Sequence, residues 1–303
     1  MNLGYACINM ELNARKGEDR VTTNRSMIKK TFQEKGLDYA SELIIQNVVD
    51  LNEIIDWNEQ NNIKFFRLSS EMFPWASEYY QDWDSVPDID FIKMWLENAG
   101  LKAKEYGHRI TSHPGPFNVL VSPNENVVQN TITDLTIHAD IFDFMGLSRT
   151  PYNKLNIHCN GVYGDKQSAM DRFCKNFERL PESVQTRLTV ENDDKASMYS
   201  VKDLYEGIHK RIGIPIVFDY HHYKFNTGGQ TEQEALEMAL STWGDITPVV
   251  HYSESKAEHQ LDETIRPQAH SDLIKELPNT YGNDVDIMVE AKHKELAIEG
   301  FIK

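Results

Sequence analysis

Short β-like runs recur along this 303-residue chain, separated by helical stretches, and one after another they end in a residue able to hold a metal ion. Ile110-Thr111-Ser112 ends in His113, Leu155-Asn156-Ile157 in His158, and Leu188-Thr189-Val190 in Glu191. Ile216-Val217-Phe218 ends in Asp219, with His221-His222 just beyond; Pro248-Val249-Val250 leads to His251, and Asp286-Ile287-Met288-Val289 to Glu290. Apolar, β-branched runs alternating with helical patterns read as parallel strands of an α/β fold. With Leu3–Cys7 and Phe65–Ser69 the count is eight strands, which is a single (β/α)8 TIM barrel spanning 1–303. Such a barrel gathers its chemistry at the C-terminal ends of the strands, where these side chains fall. Imidazoles mixed with carboxylates suit Zn²⁺, Mn²⁺ or Fe²⁺.

The intervening stretches read as helices over Tyr39–Asn62, Phe91–Tyr106, a run after Ser122-Pro123-Asn124-Glu125, a run through Met170 and Phe177, Ser200–Ile212 and Thr231–Trp243. Ser122 with Glu125 and Thr231 with Glu234 have the spacing of capping boxes, and Pro123 suits a first helical position. Ser253–His270 reads as a long polar loop before a short helix and the last strand, and Ala291–Lys303 as a short closing helix. No repeat of fixed period and no Gly/Ser linker interrupts the alternation.

Hydrophobic residues make up 40% of the chain, enough for a large core. No apolar run reaches about 18 residues, so no membrane span is expected. The N-terminus lacks the basic and apolar segments of a signal peptide. Cys7, Cys159 and Cys174 are an odd number without CxxC spacing, which suits reduced thiols and a cytoplasmic location. The net charge of −16 weighs against a nucleic-acid partner, since a basic face is the usual footprint. Bound divalent ions would reverse that sign locally.

A single histidine after a strand is commonly only a hydrogen-bonded side chain, and a single carboxylate there is commonly a helix cap. The collective pattern argues otherwise, because carboxylates and imidazoles converging on one barrel mouth need charge compensation. His221 reads as a supporting residue, and His270-Ser271-Asp272 places two ligand types on one side of an extended segment. The chain has no GxSxG elbow, no GxxxxGK[ST] phosphate loop and no GxGxxG fingerprint.

The order His113, His158, Glu191, Asp219-x-x-His222, His251, His270-x-Asp272, Glu290 resembles the UV damage endonucleases, relatives of the endonuclease IV type of abasic-site nuclease. Local strings extend the resemblance along nearly the whole chain, among them Thr22-Thr23-Asn24-Arg25, Phe66-Arg67-Leu68-Ser69-Ser70, His113-Pro114-Gly115, Phe218-Asp219-Tyr220-His221-His222 and Met288-Val289-Glu290-Ala291-Lys292. The resemblance implies a barrel with three divalent ions, often Mn²⁺, with Zn²⁺ or Fe²⁺ as alternatives. It implies that His113, His158 and a bridging Glu191 hold one ion, that Glu191, Asp219, His251 and Glu290 hold a second, and that His222, His270 and Asp272 hold the third. The implied reaction uses metal-activated water to cut the DNA phosphodiester immediately 5′ to a UV photoproduct, leaving a 3′-hydroxyl. Glu191 is then the residue whose loss should cost most.

The same resemblance implies that Tyr5 and Asn9 contact DNA at the mouth and that Pro116-Phe117 occupies the place of a damage-probing Gln-Tyr pair. Phe117 can wedge between bases, whereas Pro116 offers no side-chain hydrogen bond. Val249 stands where relatives can carry a lysine two residues before the metal histidine. Arg67, Lys256 and the Arg15–Arg25 loop are candidate phosphate contacts. The expected partner is double-stranded DNA carrying UV lesions, bound by a monomer. Three other readings stay open: an abasic-site nuclease, a divalent-metal sugar isomerase of the xylose isomerase type, and a damage-binding module that has lost catalysis.

Overall fold

The computed structural model of the chain describes residues 1–302. Eight four-residue strands are joined in parallel and close into a barrel in the order β1 to β8. They are β1 Leu3–Ala6, β2 Phe65–Leu68, β3 Arg109–Ser112, β4 Leu155–His158, β5 Leu188–Glu191, β6 Ile216–Asp219, β7 Val249–Tyr252 and β8 Asp286–Val289. Closure is made by β1 against β8, with Gly4 opposite Met288. Each strand lies within a residue or two of its sequence expectation, because β-branched runs bounded by polar segments leave little freedom of placement.

The helices are less regular than the alternation predicts. The first long one runs Lys29–Gln60, not Tyr39–Asn62, and is broken at Gly36, whose backbone (φ 66°, ψ −154°) is open to glycine but strained for other residues. The helix expected to start at Ser122 is Glu125–Phe144, capped by the Asn124 side chain accepting from Asn126 N; Ser122 instead accepts from Asn124 N. The Thr231 and Glu234 capping box forms as expected, at the head of the helix Glu232–Leu240. Ser200–Ile212 is one continuous run holding a π turn at Tyr205–His209. The short helix expected after His270 is found earlier, inside the polar loop, at Lys256–Gln260. The closing segment is made of 3₁₀ turns at Lys294–Ala297 and Glu299–Phe301, and Lys303 lies outside the described residues. No described helix is long and apolar enough to cross a membrane. All three cysteines are free.

Two cores hold the fold. The larger fills the space between strands and helices, and a smaller one inside the barrel is built from Ala6, Phe65, Val217, Val249, Met288 and Trp243. A Cβ on Gly4 would sit 2.6 Å from the Phe65 ring, so glycine at that point lets the ring lie across the barrel interior. Below this layer Arg109 is fully buried, paired with Asp286 at 3.1 Å and donating to the carbonyls of Tyr152 and Thr247, each at 2.8 Å. Asp286 also accepts from the Asn2 backbone at 2.7 Å, so the pair ties β3 to the β1–β8 seam and plugs the end opposite the mouth.

Arg109→Met should leave Asp286 as an uncompensated buried charge and lower the unfolding free energy by about 3–5 kcal/mol. Urea unfolding at unchanged slope reads this directly. A loss below about 1 kcal/mol would show that the plug does not secure the seam.

Candidate metal centre

Side chains alternate across a strand, and this decides what reaches the mouth. On β4, Asn156 and His158 share the inward side, while Leu155 and Ile157 face the helices. His113 follows β3, Glu191 ends β5, Asp219 ends β6, His251 lies in β7 and Glu290 follows β8. His222 stands on the helical turn Tyr220–Tyr223, which Asp219 caps by accepting from His222 N at 2.7 Å.

These residues meet around one buried carboxylate. Glu191 is 1% exposed and faces four imidazoles: His251 Nδ1 at 3.0 Å, His113 Nε2 at 3.3 Å, His222 Nδ1 at 3.3 Å and His158 Nε2 at 3.8 Å. Glu290 Oε1 is 3.3 Å from His251 Nδ1 and pairs with Arg67. Two groups, His113–His158–Glu191 and Glu191–Asp219–His251, each bring one ligand atom per residue to within 4.8 Å of the others. Glu191 belongs to both. Oε1 of Glu191 and Oδ2 of Asp219 are buried without a hydrogen-bond donor. Acceptor atoms left bare beside neutral-capable imidazoles form a donor set that divalent cations fit.

Burial governs the protonation of this cluster. It opposes ionisation of Glu191, yet His251, His158, His113 and His222 together hold the carboxyl well below its usual range. Burial likewise opposes Glu290, and Arg67 with His251 holds it low. The same burial pushes the His251 imidazole down to about 4 and Asp219 up to about 7. A ligand histidine kept neutral offers the lone pair that a metal requires.

A further ring of groups fixes the orientation of these side chains, as such groups do around metal ligands. Asn156 Nδ2 donates to Glu191 Oε2 and is itself set by Thr189, whose hydroxyl donates to Asn156 Oδ1 at 2.7 Å. Asp193 Oδ1 is 3.2 Å from His158 Nδ1; Pro114 O is 3.1 Å from His113 Nδ1; Asn192 O is 2.9 Å from His222 Nδ1. The strand-end pattern misses these supports, although a polar Asn156 on the inward phase of an otherwise apolar β4 carries the signal.

The remaining candidates divide. The His222 and His270 rings are 6.5 Å apart, while Asp272 pairs with Lys256 at 3.1 Å; among the described residues these three do not converge as the two groups above do. Tyr5 and Asn9 depart from the place expected at a DNA-facing mouth. Tyr5 is 0% exposed and donates to Asn58 at 2.7 Å, and Asn9 donates to the Tyr5 hydroxyl while capping a short helix. Arg67 lies beneath the mouth cavity, bound to Glu290. Within the Arg15–Arg25 loop, Arg15 and Arg25 pair with Glu53 and Asp50.

Pro116 and Phe117 stand at the rim, with Phe117 87% exposed. Their loop is held firmly. Asn160 Nδ2 lies 3.2 Å from Pro116 O and 3.3 Å from Asn118 O, and Asn118 Nδ2 donates to Gly115 O at 2.9 Å and Asp134 at 2.7 Å. A cavity of about 390 Å³ lies between this loop and the histidines, lined by Arg67, His113, His158 and Glu290. A larger hollow of about 750 Å³ on the other flank of the loop is lined by Glu71, Glu78, Tyr80 and Asp134 and has no histidine, so the chemistry belongs to the smaller one.

Comparison with known proteins agrees with this geometry. The family model described as UV-endonuclease UvdE matches residues 1–303. A UV-damage endonuclease of Schizosaccharomyces pombe is 38% identical over 98% of the chain, which spans 49% of that relative's length. A putative UV-damage endonuclease of Acanthamoeba polyphaga mimivirus is 33% identical over 98% of the chain and 89% of its own. The crystal structure of SacUVDE superposes with a TM-score of 0.84 at 30% identity, covering 100% of this chain and 96% of that one. A barrel whose strand ends converge on one shared carboxylate, matched along its whole length by one family, leaves a single assignment: the chain belongs to the UvdE family of UV-endonucleases.

Proposed function

We propose that this chain is a divalent-metal-dependent DNA repair endonuclease that nicks the phosphodiester immediately 5′ to a UV photoproduct and leaves a 3′-hydroxyl. The observation that carries the reading is Glu191, one buried carboxylate shared by two donor groups at the barrel mouth. Three ions are proposed, Mn²⁺ first among them. His113, His158 and Glu191 would hold one; Glu191, Asp219, His251 and Glu290 a second; His222, His270 and Asp272 a third, with Asp272 released from Lys256 to do so. Divalent ions there would supply Lewis acidity and make water a nucleophile near neutral pH.

The chain's own residues supply the rest. Glu191 fixes the spacing of the two groups it joins, and Asn156 and Asp193 keep Glu191 and His158 aimed inward. Arg67 faces the cavity where a phosphate would lie and balances Glu290. The apolar wall of the barrel keeps the dielectric low, which strengthens each charge contact. Phe117, presented on a fastened loop, is the side chain placed to enter a duplex once a lesion has weakened stacking. Lys256 at the opposite loop is a phosphate contact in this reading.

The test uses Mn²⁺ and two end-labelled duplexes, one with a single photoproduct and one with a single abasic site. Incision 5′ to the photoproduct supports the proposal; cleavage of the abasic duplex alone would move the specificity, in keeping with Pro116 in the probing loop. Cleavage of neither would overturn the nuclease reading. Glu191→Gln is expected to reduce incision by more than about 100-fold, since even supporting residues of metal sites cost about 10–100-fold. EDTA should abolish incision and added Mn²⁺ restore it; activity that survives chelation would remove the metal from the reaction. Phe117→Ala should lower kcat/KM on the photoproduct duplex about tenfold, at the low end of the ~1–3 kcal/mol typical of aromatic stacking on a base. Its melting temperature should not change, because the ring is 87% exposed.

A further inference from the structure

Lys154 occupies the underside of the metal centre. It directly precedes β4, and both Lys154 and His251 are 0% exposed. Lys154, Asn156 and His158 share the inward phase of this strand, so one strand sends three polar groups toward the barrel axis at successive heights. The barrel does not need a lysine for packing, since Ala6, Phe65, Val217, Val249 and Met288 fill its interior with apolar groups. A lysine is almost never buried without a specific partner.

That partner is a candidate ligand. Lys154 Nζ lies 3.1 Å from His251 Nε2. The opposite ring nitrogen, Nδ1, is 3.0 Å from Glu191 Oε2 and 3.3 Å from Glu290 Oε1. A half-turn of the imidazole would exchange nitrogens for carbons on both edges and lose every one of these contacts. The ring therefore has one orientation that keeps all three contacts, and Lys154 defines it from below.

We propose that Lys154 is a positioning residue of the metal centre, holding His251 with Nδ1 turned toward Glu191, Asp219 and Glu290 and so raising the affinity of the ion bound among them. The proposal rests on the metal reading above and requires nothing of the DNA substrate. Sequence gives little sign of it, because Lys154 precedes its strand and lies 97 positions from the histidine it holds.

The experiment titrates EDTA-stripped, desalted protein with Mn²⁺ and follows the free ion by electron paramagnetic resonance. Lys154→Met should bind one ion about 10–100-fold more weakly, the usual cost of losing a group that orients a ligand. Lys154→Gln, whose amide oxygen can still accept from Nε2–H when Nδ1 holds the ion, should recover most of that loss. In a double-mutant cycle, Lys154→Met should cost nothing further once His251 is alanine. An unchanged isotherm for Lys154→Met, or losses that add in the double variant, would overturn the proposal. So would a lower melting temperature of the stripped variant with no change in affinity, which marks a merely structural lysine. If Lys154→Met does not fold, wild-type protein with nitrogen-labelled histidine and spin-active cadmium decides the matter. Coupling of cadmium to Nδ1 of His251 supports the proposal and coupling to Nε2 overturns it. Wild-type protein that takes up no Mn²⁺ overturns the metal reading and this inference together, whereas unaltered binding in the variant overturns this inference alone.

Discussion

A carboxylate cannot remain ionised inside a barrel unless positive charge stands beside it. Glu191 meets that condition with imidazoles, groups whose charge is conditional, instead of with a permanent cation. The arrangement is therefore poised: protons can balance it, and on the proposed reading divalent ions would take over the same lone pairs. The supporting contacts follow from the same constraint. Asn156, Asp193, Asn192 and Pro114 each fix a group that would otherwise rotate away from a crowded, water-poor centre.

Under the proposed function, the same constraint reconciles the charge of −16 with a polyanionic substrate. Much of the acidity at the mouth belongs to candidate ligands, which bound divalent ions would neutralise. Near the cavity the permanent cation Arg67 is spent internally on Glu290. Attraction for a phosphate then depends on the state of the centre and not on the average surface, which is why net charge alone is a weak guide to the partner of a protein of this kind.

Most of the barrel and the convergence of the candidate ligands were legible because both rest on local rules. β-branched runs mark strands, and the residue closing a strand has little choice of direction, so the sequence places His113, His158, Glu191, Asp219, His251 and Glu290 together at one barrel mouth. What failed was decided by phase or by competition. Ala6 points into the barrel, so its neighbour Tyr5 must point out to the helix bearing Asn58. At Ser122 and Asn124 two capping residues compete, and the helix begins at the second. The segments after His251 and Glu290 were misassigned because short helices and 3₁₀ turns there are set by tertiary contacts, such as the Ser255–His270 bridge, and not by periodicity.

If Phe117 probes DNA as proposed, the fastening of its loop bears on the speed of recognition. A side chain that must order itself at the moment of contact gives up conformational entropy then, and many encounters dissociate before it does so. Asn160 and Asn118 settle that ordering during folding, and Asn160 is only two residues beyond His158. A search along undamaged DNA could thus proceed by brief trials, each made with a finished tool. The rejection of sound duplex would rest on the stiffness of the DNA and not on slow rearrangement of the protein.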